Sequence, residues 1–294
     1  MTRRINTIVI PAAGHGTRLL PATLVTPKEM LPVYDTPMIQ FAIDEGAAAG
    51  AVRVIVILAP DKMAIRDYLL PHRATASLDT AAPRLQRPGA VEVVFSFQNK
   101  PLGLGHAIAC ARPLILPGPF GVILPDDVIL GSPCLPEMAQ AYRGGHMIAA
   151  MEVPDSETHR YGVFHTSGGG KGALVPATGL VEKPDAGTAP SRLVAIGRYI
   201  LAASVFDTLD LMHVAAGGDM PLTDAINTDA ARLPLTAFRF SGQRYDCGTL
   251  DGLLAASIAR RADLRAASDA RATQAVIGGA LHRHDLLQAQ HAGA

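Results

Sequence analysis

Several short stretches of this 294-residue chain have residue types and spacing suited to a charged substrate. The first is a turn of small residues, Ala12, Ala13, Gly14 and Gly16, which closes an apolar run and is followed by Thr17, Arg18 and Lys28. Few side chains there keep an anion from backbone N–H groups, and two cations stand nearby, so the turn reads as a polyphosphate cradle. It is not a dinucleotide fingerprint, because Leu19 occupies the third glycine position, nor a P-loop, because no G-K-S or G-K-T closes it. Asp126 and Asp127 follow the apolar run VIL, and Asp246, in YDCG, follows a short apolar-aromatic strand (Phe238, Phe240) and precedes a helix start at Thr249. Magnesium takes oxygen ligands, usually one or two of them protein carboxylates, so Asp126 with Asp246 suffices for a protein share of one site. Either acid alone reads equally as a turn residue. Glu182 and Lys183 suit a sugar hydroxyl and a sugar phosphate if the strand ends at Pro184, and otherwise read as a solvated pair. Gln98, with Gly103 on a loop before a helix, offers an amide for a base edge or is a surface glutamine. His15 and His106 read as neutral packing or surface groups, and Cys247 as a buried thiol without a base.

The elements that must position these residues show in the hydrophobic pattern. Short β-branched runs at Ile5 to Pro11, Val52 to Ala59, Val91 to Phe97 and Phe120 to Leu124 alternate with helical periodicity at Met38 to Ala49 and Gly105 to Arg112. That pattern predicts βαβ units and a mostly parallel sheet flanked by helices, with ligands at the carboxyl ends of the strands. The Gly14 turn, Gln98 to Gly103 and the Asp126 turn all fall on that rim. From Met147 the strands change character (Met147 to Val153, Tyr161 to His165, Leu180 to Glu182, Leu193 to Leu201), which predicts an appended sugar-binding lobe. We expect one α/β unit over 1–266, with a nucleotide half to about 146 and a sugar-phosphate half over 147–248, then a helical or loose tail over 267–294. Leu253, Leu254 and Ile258, apolar residues at helical intervals, mark a terminal helical region, while Pro71 to Gly89 reads as a long connector and Ser167 to Gly172 as a hairpin tip.

Composition bounds the function. Apolar residues make up 49% of the chain, and 26 Lys and Arg balance 26 Asp and Glu, so the overall field argues for neither a nucleic-acid nor a membrane partner. No apolar run approaches the roughly 18 residues of a membrane span. The start MTRRIN leads into a strand and not into a signal-peptide core. Three scattered cysteines suggest neither a disulfide framework nor a zinc site, which fits a reducing cytoplasm.

Gly14, Gly16, Thr17, Arg18, Pro27 and Lys28 match G-x-G-T-R-(x)8-P-K, and the series GTRLLPAT, PKEMLPV, GLGHA, LPDD, YGV, VEKP, IGRYIL, LTDAI and RYDCG follows in order. Together these resemble the bacterial UTP:glucose-1-phosphate uridylyltransferases, relatives of the thymidylyltransferases. The resemblance implies a Rossmann-like fold with a sugar lobe, magnesium as cofactor, UTP and glucose 1-phosphate as substrates, and a dimer or tetramer. It also implies that Ala12, Ala13, Gln98 and Gly103 hold the uracil, Arg18 and Lys28 the triphosphate, and Asp126 and Asp246 the magnesium. Tyr161, Gly162, Glu182, Lys183 and Gly197 would border the glucose phosphate. The chain departs from the family pattern at Pro221, Gln243 and Leu250. A thymidylyltransferase, a non-catalytic sugar-nucleotide-binding regulator and a nicotinamide-dependent oxidoreductase are the competing readings.

Overall fold

The structure is a computed structural model that describes residues 4–70, 91–166, 172–216 and 218–269. Its first half runs β1 (Thr7–Ala12), a small hairpin β2 (Pro32–Val33) and β3 (Thr36–Pro37), α1 (Met38–Ala48), β4 (Arg53–Leu58), α2 (Met63–Leu69), β5 (Glu92–Phe97), α3 (Gly103–Ala109) and β6 (Phe120–Ile123). There follow β7 (Asp127–Leu130), α4 (Cys134–Ala141), β8 (His146–Glu152), β9 (Gly162–Thr166), β10 (Leu174–Glu182) and β11 (Leu193–Leu201). The chain then forms α5 (Val205–Ala216), α6 (Leu222–Ala230), β12 (Leu235–Arg239), β13 (Gln243–Asp246) and a helix α7 over 250–269.

Nine strands form one sheet in the order β5-β4-β1-β6-β11-β8-β12-β10-β9. The strands β5, β4, β1 and β6 are mutually parallel, as are β8 and β12, while β11, β10 and β9 pair antiparallel with their neighbours. The first half is thus parallel as expected, and the second half is mixed. Both faces are covered, which is why the strands read as unbroken apolar runs. Alternate residues serve opposite cores: Ile8, Ile10, Val54 and Val56 pack with Ile39 and Leu135 on one face, whereas Val9, Ile55 and Ile57 pack with Ile108 and Leu209 on the other. A smaller cluster of Val33, Met38, Val128, Leu130, Cys247 and Ala256 seats the β7–β13 ribbon and α7.

Two expectations need correction. The strand expected at Leu180 to Glu182 begins at Leu174, and Asp246 ends its own strand β13, separate from the strand holding Phe238. The expected terminal helical region is the helix α7, and of the three apolar residues that marked it only Leu253 faces inward. Leu254 and Ile258 are 61% and 62% exposed, because the packed side of that helix is made of Leu253, Ala256 and Ala259. The connector and the 167–171 part of the hairpin tip lie outside the described residues, as does the tail beyond 269.

A buried ion pair fixes the rim from behind. Arg198 on β11 donates from Nε and Nη2 to Glu45 Oε2 on α1 at 2.9 and 2.8 Å, and from Nη1 to the carbonyls of Leu124 and Gly197. The other Glu45 oxygen accepts the Leu135 amide at 2.8 Å. Every polar atom of the pair is thereby engaged with strands or helices that border the turn carrying Asp126.

Candidate active site at the carboxyl rim of the sheet

The glycine turn leaves β1 directly. Ala12 and Ala13 are buried, Gly14, Thr17 and Arg18 are exposed, and Gly16 adopts φ +67° before a 3-10 turn at Thr17–Leu19. A side chain at Gly16 would be both strained and crowded, since its Cβ would lie 3.0 Å from Lys28 Cβ and 3.1 Å from Thr23 Cγ2. Lys28 opens a third short turn, Lys28–Met30, and is packed beneath the loop. In register, Ala12 aligns with Leu58 and Leu58 with Phe97, so Gln98 lies two strands from the loop at the same level. Its amide donates to the Gly103 carbonyl at 3.0 Å and meets His106 Nδ1 at 3.0 Å, which makes His106 a supporting residue of that loop.

The acids converge. Strand β13 pairs antiparallel with β7 so that Asp246 sits opposite Asp127, beside Asp126, and the Cys247 amide donates to the Asp126 carbonyl at 2.8 Å. The two side chains face one point: a Cβ placed on Gly248 would lie 3.1 Å from Asp126 Oδ2, 3.0 Å from Asp246 Oδ1 and 2.6 Å from Arg18 Nη2. Asp126 Oδ2 accepts from the Lys28 ammonium at 2.6 Å. Burial pushes the Asp126 carboxyl up, but the Lys28 charge and hydrogen bond outweigh it and hold the group below the usual carboxylate range. Burial likewise lowers the Lys28 ammonium, and the charges of Asp126 and Glu29 more than reverse that. Cys247 is buried, and desolvation followed by the neighbouring aspartates pushes its thiol up to about 12, so it stays protonated as a packing group.

Asp127 has a different task. Its Oδ2 accepts the Gly197 amide at 2.8 Å, while Oδ1 is held by the Arg244 guanidinium, with Nε at 2.7 Å. Gly197 allows this approach: a Cβ there would stand 2.7 Å from that carboxylate oxygen and 2.6 Å from Leu124 Cβ, and β11 changes register between Ala195 and Tyr199 around it. The Gly197 amide is therefore occupied by Asp127.

At the far end of β10 the strand does end at Glu182, and Lys183 takes φ +44°, which turns its side chain out of the alternating pattern. A non-glycine residue held there stores backbone strain of the kind found at binding sites. Lys183 Nζ lies 3.7 Å from Glu182 Oε1, and the other Glu182 oxygen accepts from Thr223 Oγ1 at 3.0 Å. Glu182 pairs across the strands with Gly162. Neighbouring Tyr161 links this corner to the acids, since its hydroxyl accepts from Arg244 Nη1 at 3.2 Å and the guanidiniums of Arg160 and Arg244 lie 5.7 and 5.6 Å from its ring centre. Arg18, Arg160 and Arg244 approach Asp246 Oδ2 to 3.5, 3.7 and 3.9 Å.

Arg160, Arg244, Glu29 and Lys62 are the residues that sequence reasoning passed over. Arg244 was within reach, because residues two apart on a strand share a face with Asp246. Among the described residues no group of three or more His, Cys, Asp or Glu is placed to hold a metal ion. A separate hollow of about 530 Å³ at the opposite edge of the sheet is lined by Arg112, Phe206 and Asp207, and its charges are engaged with one another at 2.7 Å.

This layout has counterparts among known proteins. The nucleotidyl transferase family profile matches residues 7–262. The chain belongs to the nucleotidyl transferase family. Within that family it is 37% identical over 269 residues to a UTP--glucose-1-phosphate uridylyltransferase of Staphylococcus epidermidis, covering 87% of this chain and 92% of that one. It is 38% identical over 265 residues to the enzyme of the same name from Komagataeibacter xylinus, covering 85% and 91%. A solved UDP-glucose pyrophosphorylase complexed with UDP-glucose is 34% identical, superposes with a TM-score of 0.77, and covers 88% of this chain and 99% of that one. The nucleotidyl transferase fold is therefore spanned almost end to end.

Proposed function

We propose that this nucleotidyl transferase joins UTP and glucose 1-phosphate to give UDP-glucose and pyrophosphate. The observation that carries the reading is the meeting of Asp126, Asp246 and Arg18 at one point on the strand rim, beside the Gly14 turn. The names of the similar proteins supply the substrates, and they favour uracil over thymine.

In this reading Ala12, Ala13, Gln98 and Gly103 border the base, and Gly14, Gly16 and Thr17 the phosphates. Arg18 and Lys28 neutralise the triphosphate. Tyr161, Gly162, Glu182 and Lys183 hold the sugar phosphate, with Gly197 supporting through Asp127. Two hard carboxylates facing one point suit a divalent cation, and magnesium needs no more than that from a protein, the other ligands being phosphate and water. Asp126 and Asp246 would hold it. When bound, the cation supplies charge neutralisation at the reacting and departing phosphates.

An oxygen of the sugar phosphate attacks the α-phosphorus of UTP in line, its new P–O bond replacing the bond to pyrophosphate. The second pKa of a phosphate monoester is near about 6, so the attacking group needs no general base at neutral pH. What the protein must overcome is repulsion between two anions. Lys183 holds the nucleophile, Lys28 and Arg18 offset the triphosphate, and the rigid rim sets the approach. The division of labour follows the sheet, with 1–146 serving the nucleotide and 147–248 the sugar phosphate. The absence of any helix long and apolar enough to cross a membrane among the described residues, and three free cysteines, support a cytoplasmic setting; a homo-oligomer is part of the reading.

The test is release of pyrophosphate from UTP and glucose 1-phosphate with magnesium, with product identified chromatographically. UDP-glucose should form from UTP, and dTTP should release pyrophosphate more slowly, giving dTDP-glucose. A folded protein that binds UDP-glucose without turnover would instead mark a regulator.

A further inference from the structure

We propose that Lys62 is a positioning residue that fixes which way the Gly14–His15 peptide faces, and so which backbone group the loop presents to the nucleotide. This rests on the assignment of that loop to the triphosphate of UTP. Lys62 lies just before α2, is only 5% exposed, and belongs to none of the sequence motifs. Its ammonium donates to Glu29 Oε1 at 3.1 Å, to Glu29 Oε2 at 2.8 Å, and to the Gly14 carbonyl. An ammonium has three N–H donors, so all are used within the protein and none is left for a substrate.

The consequence lies in the peptide plane. In a trans peptide the carbonyl and the following N–H point in opposite directions, and the Gly14–His15 bond is not among the cis bonds. With the Gly14 oxygen drawn inward to Lys62, the His15 N–H is turned outward. Among the described residues it donates to no protein acceptor.

Gly14 itself does not enforce this orientation. It lacks a Cβ, and the nearest atoms to one built there are Lys28 Nζ at 3.9 Å and Lys28 Cε at 4.0 Å. A flipped peptide would aim a carbonyl dipole at the phosphates and remove a donor. Lys62 prevents the flip, and Glu29 holds Lys62. Glu29 is fully buried and directly follows Lys28, so the same pair anchors the backbone on both sides of the cradle.

The experiment compares Lys62→Met, the double variant Lys62→Met with Glu29→Met, and Glu29→Gln. It measures the Kd for UTP by calorimetry, KM for each substrate and the melting temperature. Lys62→Met should weaken UTP binding and raise its KM about tenfold, the scale of one lost hydrogen bond to a charged group, while KM for glucose 1-phosphate stays within about twofold. Its melting temperature should fall, because Glu29 is left buried without a partner. The double variant removes both charges and should regain most of the melting temperature, yet UTP binding should remain about tenfold weak. Glu29→Gln keeps an acceptor for Lys62 and should bind UTP within about threefold of wild type. Recovery of UTP affinity in the double variant would overturn the proposal, as would an equal rise in both KM values in Lys62→Met. Wild-type protein that fails to bind UTP would overturn the functional reading instead.

Discussion

Two aspartates in this molecule, Asp246 and Asp229, are surrounded by donors in opposite ways. Asp229, on α6 at the amino edge of the parallel strands, is almost fully buried and tightly satisfied: Thr208 Oγ1 at 2.5 Å, Ser204 Oγ and His146 Nε2 at 3.1 Å, and Arg232 Nη2 at 3.3 Å. Asp246, on the carboxyl rim, has Oδ1 bonded to the Gly248 amide at 3.2 Å, but three guanidiniums gather around Oδ2 at 3.5 to 3.9 Å without a short hydrogen bond. A closed network rigidifies the fold, whereas a carboxylate ringed by distant cations keeps lone pairs available for a ligand. The same residue type is thus closed into the fold at one edge and left open to a ligand at the other.

The contrast can be broken by mutation. Asp246→Asn keeps the Gly248 contact and should lower kcat by about 10²- to 10³-fold, as loss of a preorganised charge does, while the melting temperature barely moves. Retained turnover in that variant would erase the distinction. Asp229→Ala should do the reverse, costing about 3 kcal/mol of stability through stranded buried donors, with kcat per folded molecule unchanged. Chemical denaturation alongside single-turnover kinetics would show it.

The smallest expected effect is on pH. Desolvation, the largest influence on His146, lowers its pKa below the ordinary value of 6.5 despite the Asp229 hydrogen bond. A depressed folded pKa means that the unfolded chain binds the proton first, so this stabilisation is complete above pH 6.5 and is lost as pH falls through the folded pKa. Thermal stability should therefore decline below pH 6.5, and less steeply in His146→Gln. An equal decline in both would remove His146 from the account.

Much of the first half of the fold was legible because its strands are covered on both sides, so Val9, Ile55 and their neighbours form apolar runs that need no knowledge of the partner strand. Strand β10 was less so: Pro176 and Gly179 interrupt its pattern, and its long pairing with β9 and β12 is a property of the sheet. The terminal helix was legible from its apolar spacing, but not its packed side, which alanines line, leaving its largest apolar residues outside. At the site, the glycine turn and the acids were visible as local motifs. The pairs behind them, Glu29 with Lys62 and Glu45 with Arg198, join residues 33 and 153 positions apart, and no spacing rule connects them. Lys183 was foreseen as a pair with Glu182, but its left-handed backbone, which decides where it points, is set by the strand end.

Strand β11 pairs with β6 near its end, with β9 near its start and with β8 at both ends of its length. On the proposed division of labour, a single span of nine residues is therefore common property of both substrate compartments, and its register shift around Gly197 lies where one would give way to the other. Such welding forbids a clamshell that swings the compartments apart, so access and release must be managed by surface loops. It also forbids modular exchange: a new sugar preference must be acquired by side-chain replacement within the shared floor, since no cut through it leaves either compartment with an intact edge.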